Sequence, residues 1–313
     1  MTSSTLKVVP CGHQSGQSRF DDASGGGLPW IAAWRNNLTA LSQYRNLYFV
    51  AYRAGEVHVF EPGYPDQLIP GVPSLILDLP ESRPGLVGYI DPTSPRNANF
   101  IVVRDLGEEE VLLLACDNGD ILGFRTRAIE RVIQERGPAG DPWKRCIVAP
   151  FFHENVGASA WGLDVHSKER IIAVSSNTHK IILFAFALER ENGEESAQRK
   201  PSFEQQEDET LEFNNSASCP ESARLSTHWK LPTGRNDYSQ RDSTNLAWSL
   251  DSHDDNIPAI AFLNSEPTGG SEIYLASVDI GGRTILWDVW SKTECLFIQS
   301  SRSKAYDMTV AMY

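Results

Sequence analysis

Long apolar runs are missing from this sequence. The longest uninterrupted one, Ile181–Leu188, has eight residues. A helix needs about 20 to cross a bilayer, so no transmembrane helix is expected. The opening residues, MTSSTLKVVPCGHQSG, contain no apolar stretch of the kind a secretory signal carries, so no export signal is expected. Positive charge is also scarce: 28 Lys and Arg face 41 Asp and Glu across 313 residues, a net charge of −13. Direct binding to DNA or RNA needs a basic footprint, and an anionic membrane surface needs the same, so neither is expected. The five cysteines (Cys11, Cys116, Cys146, Cys219, Cys295) are odd in number, far apart and free of any Cys-x-x-Cys pair. Free thiols in a reducing, intracellular compartment are the simplest reading. Helical patterning is nearly absent. One stretch, Thr126–Gly137, predicts a helix, stopped by Gly137-Pro138.

What remains is a β-rich chain, 41% hydrophobic, with an uneven distribution of charge. Residues 189–221 hold ten acidic and three basic side chains, a net −7 that is more than half of the total. Their apolar content is too low to offset the entropy of ordering them, so a disordered acidic insertion is expected over 189–226. A docking segment for a basic partner, or phosphorylation at Ser196 or Ser202, is the functional alternative. Residues 1–28, with their run of glycines, read as a flexible tail, and 301–313 as a second tail. The folded parts are expected over 29–188 and 227–300.

Repetition is the most informative feature. Four segments share a β-rich run, a tight turn, a second β-rich run and a closing aromatic: Leu47–Phe60, Val111–Phe124, Arg170–Phe184 and Glu272–Asp288. Their turns carry Gly55, Gly119 and Gly282, with His179 as the exception. Asp117-Asn118-Gly119 is a strong hairpin signal, because Asn and Gly accept the positive φ of short hairpin turns. Val, Ile, Leu, Phe and Tyr fill the flanks, as half-buried strands prefer. The closing aromatics Phe60, Phe124, Phe184 and Trp287 stand 64, 60 and 103 residues apart. Without the 33 residues of 189–221 the last interval falls to 70, which fits a unit of about 40–45 residues with added loops. Further apolar runs, Ser159–Val165 and Ile257–Leu263, precede the third and fourth hairpins. Four short strands per unit cannot cover both of their own faces, so the units must stack on one another.

The fourth segment, with His253 ahead of LASVDIGGRTILWDVW, resembles a WD40 repeat. The resemblance implies an all-β, WD40-like β-propeller with about four blades visible. It also implies that His253, Ser277, Asp279 and Trp287 form one buried structural network. In the third segment His153, Ser175, Asn177 and Phe184 hold the corresponding places. Three blocks carry a narrower resemblance: DLGEEEVLLLACDNGDILGFRTRAI, ENVGASAWGLDVHSKERIIAVSSNTHKIILFAFAL, and IPAIAFLNSEP with EIYLASVDIGGRTILWDVW. They are similar to the fungal WD40-type regulators of ribonucleotide reductase transcription, the CRT10-like family, over about 29–299. That likeness implies a nuclear or nucleocytoplasmic scaffold without enzymatic chemistry, acting on ribonucleotide reductase gene expression. Members of that family are larger, and most WD40 propellers close with seven blades, so an incomplete or truncated propeller is implied. A closed four-bladed ring is the alternative.

Catalytic motifs do not accumulate. Gly157-Ala158-Ser159-Ala160-Trp161 matches a nucleophile elbow for three residues, but Trp161 stands where the second glycine belongs. No phosphate-binding lysine motif follows Gly25-Gly26-Gly27. His153, His166 and His179 recur every 13 residues without the companions of a metal site. Asn37-Leu38-Thr39 and Asn214-Asn215-Ser216 match the glycosylation pattern and are expected to be silent without export. Trp161, Trp248, Trp287 and Trp290 lie in or beside expected strands, where buried packing is expected. Trp30, Trp34, Trp143 and Trp229 lie in connections, where aromatics serve as anchors for partners. The resulting expectation is a non-enzymatic protein-binding scaffold with no cofactor, metal, small-molecule substrate, direct nucleic acid or membrane. Its partners would be other proteins, transcription-regulatory in the leading reading. The alternative is a substrate adaptor bound to cullin-type ubiquitin-ligase components. An enzyme on a propeller is the third reading, and no motif supplies its convergent carboxylates or histidines.

Overall fold

Seventeen strands and one helix make up a computed structural model that describes residues 37–52, 55–80, 85–137, 141, 143–187, 245–263 and 272–299. The acidic stretch 189–226 and both expected tails lie outside the described residues. Strands β1 (Thr39–Leu41), β2 (Tyr48–Tyr52), β3 (Glu56–Phe60) and β4 (Leu75–Asp78) form the first sheet. β5 (Ala98–Leu106), β6 (Glu109–Cys116) and β7 (Asp120–Arg125) begin the second. Helix α1 (Thr126–Arg136) follows, then the short β8 (Arg145–Cys146), which runs parallel to β4 at the edge of the first sheet. β9 (Phe152–Asn155) completes the second sheet. β10 (Ala160–His166), β11 (Ile171–Ser176), β12 (Lys180–Ala185) and β13 (Leu246–Asp251) form the third. β14 (Ala259–Phe262), β15 (Tyr274–Val278), β16 (Arg283–Asp288) and β17 (Thr293–Gln299) form the fourth. Among the described residues the fold is all-β apart from α1, and every pairing between named strands except β4 with β8 is antiparallel.

Each of the four repeated segments folds into one hairpin: β2–β3, β6–β7, β11–β12 and β15–β16. The Asp117–Gly119 turn has three residues rather than two. The Gly119 N–H donates to the Cys116 carbonyl at 3.0 Å and Gly119 takes φ 85°. That is the geometry of a type I turn closed by one left-handed residue. The third hairpin repeats it with His179 at φ 63°, and the fourth with Gly282 at φ 82°. Gly55 holds the same place in the first at φ 74°. Counted from this left-handed residue, Phe60, Phe124, Phe184 and Trp287 each fall five positions later. The closing aromatics are therefore one structural position. Phe124 points into the core shared with the first sheet, Phe184 into that shared with the second, and Trp287 into that shared with the third.

The same register shifts two assignments by one residue. Val174 and Ser176, not Ser175 and Asn177, stand where the fourth sheet has Ser277 and Asp279. Strand side chains alternate, so a one-residue slip changes the face. Val174 packs toward the second sheet, whereas Ser175 faces the fourth and donates its hydroxyl to the Ile257 carbonyl at 2.6 Å. A second difference concerns the boundary near residue 227. β13 pairs along its whole length with β12, so the third sheet takes its outer strand from beyond the acidic stretch, and the fourth begins at β14.

The sheets stack in chain order, with the first strand of each, β1, β5, β10 and β14, lying beside the next. A strand between two other sheets has no wet face, so it reads as continuous hydrophobic sequence rather than alternation. On β6, Leu112, Leu114 and Cys116 face the first sheet while Val111, Leu113 and Ala115 face the third. β11 does the same with Ile172 and Val174 on one side and Ile171 and Ala173 on the other. Helix α1 seals the first junction with Ile129 and Ile133, and ends at Gly137, whose φ of 62° suits a glycine.

Candidate functional site

The turn of the fourth sheet gathers His253, Ser277, Asp279 and Trp287, all nearly excluded from solvent. His253 precedes β14, Ser277 lies on β15, Asp279 opens the turn and Trp287 sits on β16. The His253 Nδ1 lies 2.9 Å from Asp279 Oδ2, and Nε2 lies 2.7 Å from Ser277 Oγ. Trp287 Nε1 donates to Ser277 Oγ at 2.8 Å. A carboxylate only accepts, so Nδ1 carries the proton; Nε2 then accepts from the serine hydroxyl, whose oxygen receives the indole N–H. Every polar group of the four has a partner under this assignment. The second carboxylate oxygen accepts from the Arg283 N–H at 2.9 Å. Burial pushes the Asp279 carboxyl up, but the hydrogen bonds from His253 and the Arg283 backbone outweigh it and hold its pKa below the ordinary value. A Cβ at Gly281 would stand 2.7 Å from Asp255 Oδ2 and 3.1 Å from Asp279 Oδ1, so the exposed Asp255 side chain would have to move aside.

The third sheet has no equivalent. Val174 replaces the serine with an apolar side chain, and His153 lies on β9 in the second sheet, 3.7 Å from Asp120. His166 ends β10, where its Nδ1 accepts from the Glu169 N–H at 3.2 Å, and His179 occupies a turn. The three evenly spaced histidines thus belong to three different local environments. Among the described residues, no three His, Cys, Asp or Glu side chains are grouped so as to hold a metal ion.

Three further polar sites tie one sheet to the next. Asp117, wholly buried, accepts the Ser159 hydroxyl at 2.7 Å and the N–H groups of Ile90 and Asp91 at 2.8 and 2.9 Å. Asn99 donates to Ser159 Oγ at 2.9 Å and to the Ala160 carbonyl at 2.8 Å. This arrangement explains the Gly-x-Ser segment: Ser159 is sealed at the junction of the second and third sheets, not raised for attack. Asp164 on β10 accepts the Phe262 N–H of β14 at 2.7 Å, while Arg104 of β5 approaches its other oxygen at 3.5 Å. Glu110 on β6 accepts the hydroxyls of Ser42 and Thr126, each at 2.7 Å, and holds the connection after β1. Burial raises its carboxyl, but those two hydroxyls and the backbone of Gln43 and Tyr44 prevail and lower its pKa. A cleft of about 300 Å³ beside it is lined by Arg45, Arg125 and Arg127 against Glu108, Glu109 and Glu110, so its charges balance. Arg125 and Arg127 both pair with Glu109.

The tryptophans divide as their surroundings dictate. Trp248 and Trp290 stack at 4.9 Å between the third and fourth sheets, and Trp248 Nε1 donates to the Val289 carbonyl at 3.2 Å. Trp161 is partly buried on β10. Trp143 is 58% exposed, with its ring edge toward His58. Trp30, Trp34 and Trp229 lie outside the described residues.

Sheet stacking and these buried bonds define a class: a protein of consecutive antiparallel units of four strands, the first extended by the parallel β8, each tied to its neighbour by aliphatic faces and a few satisfied polar side chains. Within that class the chain matches the CRT10 family over residues 18–302 and belongs to it. Membership fits, in general terms, a regulator of transcription. No curated protein matches the chain at a significant level.

Proposed function

We propose that the chain is a non-enzymatic protein-binding scaffold that acts in the nucleus on transcription of ribonucleotide reductase genes. Its four sheets are read as an arc of a WD40-like propeller. Membership of the CRT10 family across 18–302 carries this reading. Two structural observations support it. The Asp-His-Ser-Trp arrangement of the fourth turn is built as a fixed, fully bonded unit, and a rigid frame suits presentation of loops to partners. The conspicuous polar side chains, Asp117, Ser159, Asp164, Glu110 and Asp279, are engaged in holding sheets and turns together.

The test is recovery of the intact chain under native conditions with its bound proteins, together with ribonucleotide reductase transcript levels when the chain is removed. Transcription or chromatin factors among the bound proteins and a change in those transcripts are expected. Cullin-linker proteins in their place, with unchanged transcripts, would overturn the proposal.

A further inference from the structure

The connection between β3 and β4 is far longer than the fold requires. These antiparallel neighbours are joined by the 14 residues 61–74, whereas three residues, 117–119, suffice between β6 and β7. From Glu61 to Val72 no residue is buried, so this length adds nothing to the core. Ordering it costs entropy that burial does not offset, yet the loop closes on itself: the Gly63 N–H donates to the Leu68 carbonyl at 2.9 Å. Both ends are fixed to the frame. The Asn46 amide donates to the Pro62 carbonyl at 2.8 Å, and the Ser74 N–H donates to the Val59 carbonyl at 2.8 Å. Pro62, Pro65, Pro70 and Pro73 restrict the backbone further. The lobe displays Tyr64, Leu68 and Val72 at 89, 53 and 43% exposure, and Tyr64 is the most exposed large apolar side chain among the described residues. A long, ordered loop that serves no core is characteristically functional.

We propose that this lobe is a docking knob that inserts into an apolar pocket, rimmed by Lys or Arg, on a separate folded protein. Three features choose that occupant. The lobe is convex with an apolar tip, so its match is concave and apolar. Its two charges, Glu61 and Asp66, are both negative, and no basic side chain lies between 61 and 74 to balance them, so the rim of the pocket is basic. The four prolines lack N–H donors and the Gly63 donor is already used, so the lobe is unsuited to joining another sheet as a strand and is read through its side chains. The same carboxylates disfavour nucleic acid and an anionic lipid surface. A Tyr anchor on a rigid loop has little freedom left to lose on binding, which favours a hot spot. The inference deepens the scaffold reading by naming one contact, and rests on that reading only in requiring a bound protein.

A photo-activated benzophenone side chain in place of Leu68, in the full chain in its native cells, tests it, with the cross-linked peptide located in the fold of its own protein. The expected product joins Leu68 to a different protein, at an apolar pocket bordered by Lys or Arg. Tyr64→Ser in the same chain is expected to lower that product by about tenfold or more, the loss of one aromatic anchor, with an unchanged melting temperature because the side chain stands in water. If Tyr64→Ser unfolds the chain, Val72→Ser replaces it. Asp66→Lys is expected to lower the product by about threefold or more through repulsion at the rim. A cross-link to a second copy, to another part of the same chain, to nucleic acid or to lipid overturns the proposal, as does a product that Tyr64→Ser or Asp66→Lys leaves unchanged. Proteins recovered with the intact chain but giving no cross-link at Leu68 overturn the knob and leave the scaffold reading standing.

Discussion

Asp117 accepts a hydrogen bond from the Ser159 hydroxyl at 2.7 Å, although 42 positions separate them and they belong to consecutive sheets. Both are completely buried. A carboxylate in such a place is tolerable only when its oxygens are occupied, and Ser159 occupies one of them. Ser159→Ala is expected to cost about 1–3 kcal/mol, because it leaves a buried acceptor short of a donor. Urea unfolding should show a lower midpoint at unchanged slope. A midpoint equal to that of the parent chain would show that this bond does not hold the junction.

The turn of the fourth sheet offers a graded test. Asp279→Ala strands the His253 Nδ1 proton and the Arg283 N–H, and is expected to cost about 1–3 kcal/mol. Asp279→Asn keeps an acceptor oxygen for His253 and should lose less. Thermal melts of the two variants should rank in that order below the parent; equal melts for all three would mean the carboxylate is dispensable.

The left-handed turn residues predict opposite signs for two substitutions. Gly119→Ala places a Cβ 2.5 Å from the Ala158 carbonyl at φ 85°, and should destabilise by more than the roughly 1 kcal/mol of an ordinary helix-interior or strand glycine effect. His179→Gly relieves a non-glycine residue at φ 63° and should stabilise by up to about 1 kcal/mol. Chemical denaturation of both variants decides the matter, and a loss of stability in the second would contradict it.

Acid should weaken the fold in two stages. Burial lowers the pKa of His58 despite the opposing hydrogen bond that its ring donates to Glu56, so its contribution is present above the ordinary histidine value near 6.5 and is lost as pH falls through the lower folded value. Asp279 and Glu110 are depressed carboxylates, so theirs is present above the ordinary range near 4 and is lost at still lower pH. Unfolding measured from pH 7 to pH 3 should show stability falling with each step. His58→Gln should flatten the upper window and leave the lower one; a profile unchanged by that substitution would remove His58 from the account.

The hairpins were legible because they depend on neighbours in sequence. β-branched and aliphatic flanks, a turn glycine (His179 in the third) and a closing aromatic all fall within seventeen residues, and the aromatic position proved constant in three dimensions. Helix α1 was readable for the same reason. Asp117 was visible only as a turn residue, since its partner Ser159 is remote in sequence. Ser175 looked like a counterpart of Ser277 because a difference of one position is invisible in spacing yet reverses a strand's face. The pairing of β13 with β12 had no local signal at all.

That last pairing has a consequence for how the molecule is joined. The outer strand of the third sheet reaches it only after the long excursion that follows residue 187, and the next strand, β14, already belongs to the fourth. The two halves of the chain therefore overlap like a lap joint, with one sheet owned by both. A backbone cut anywhere between 188 and 244 would part no described strand. The fragments on either side would stay clasped through β12 and β13, and the Trp248–Trp290 stack would stay entirely on the second fragment. Separately produced, the first fragment would carry an unfinished three-stranded edge and the second the strand that completes it, the arrangement required of a complementing pair.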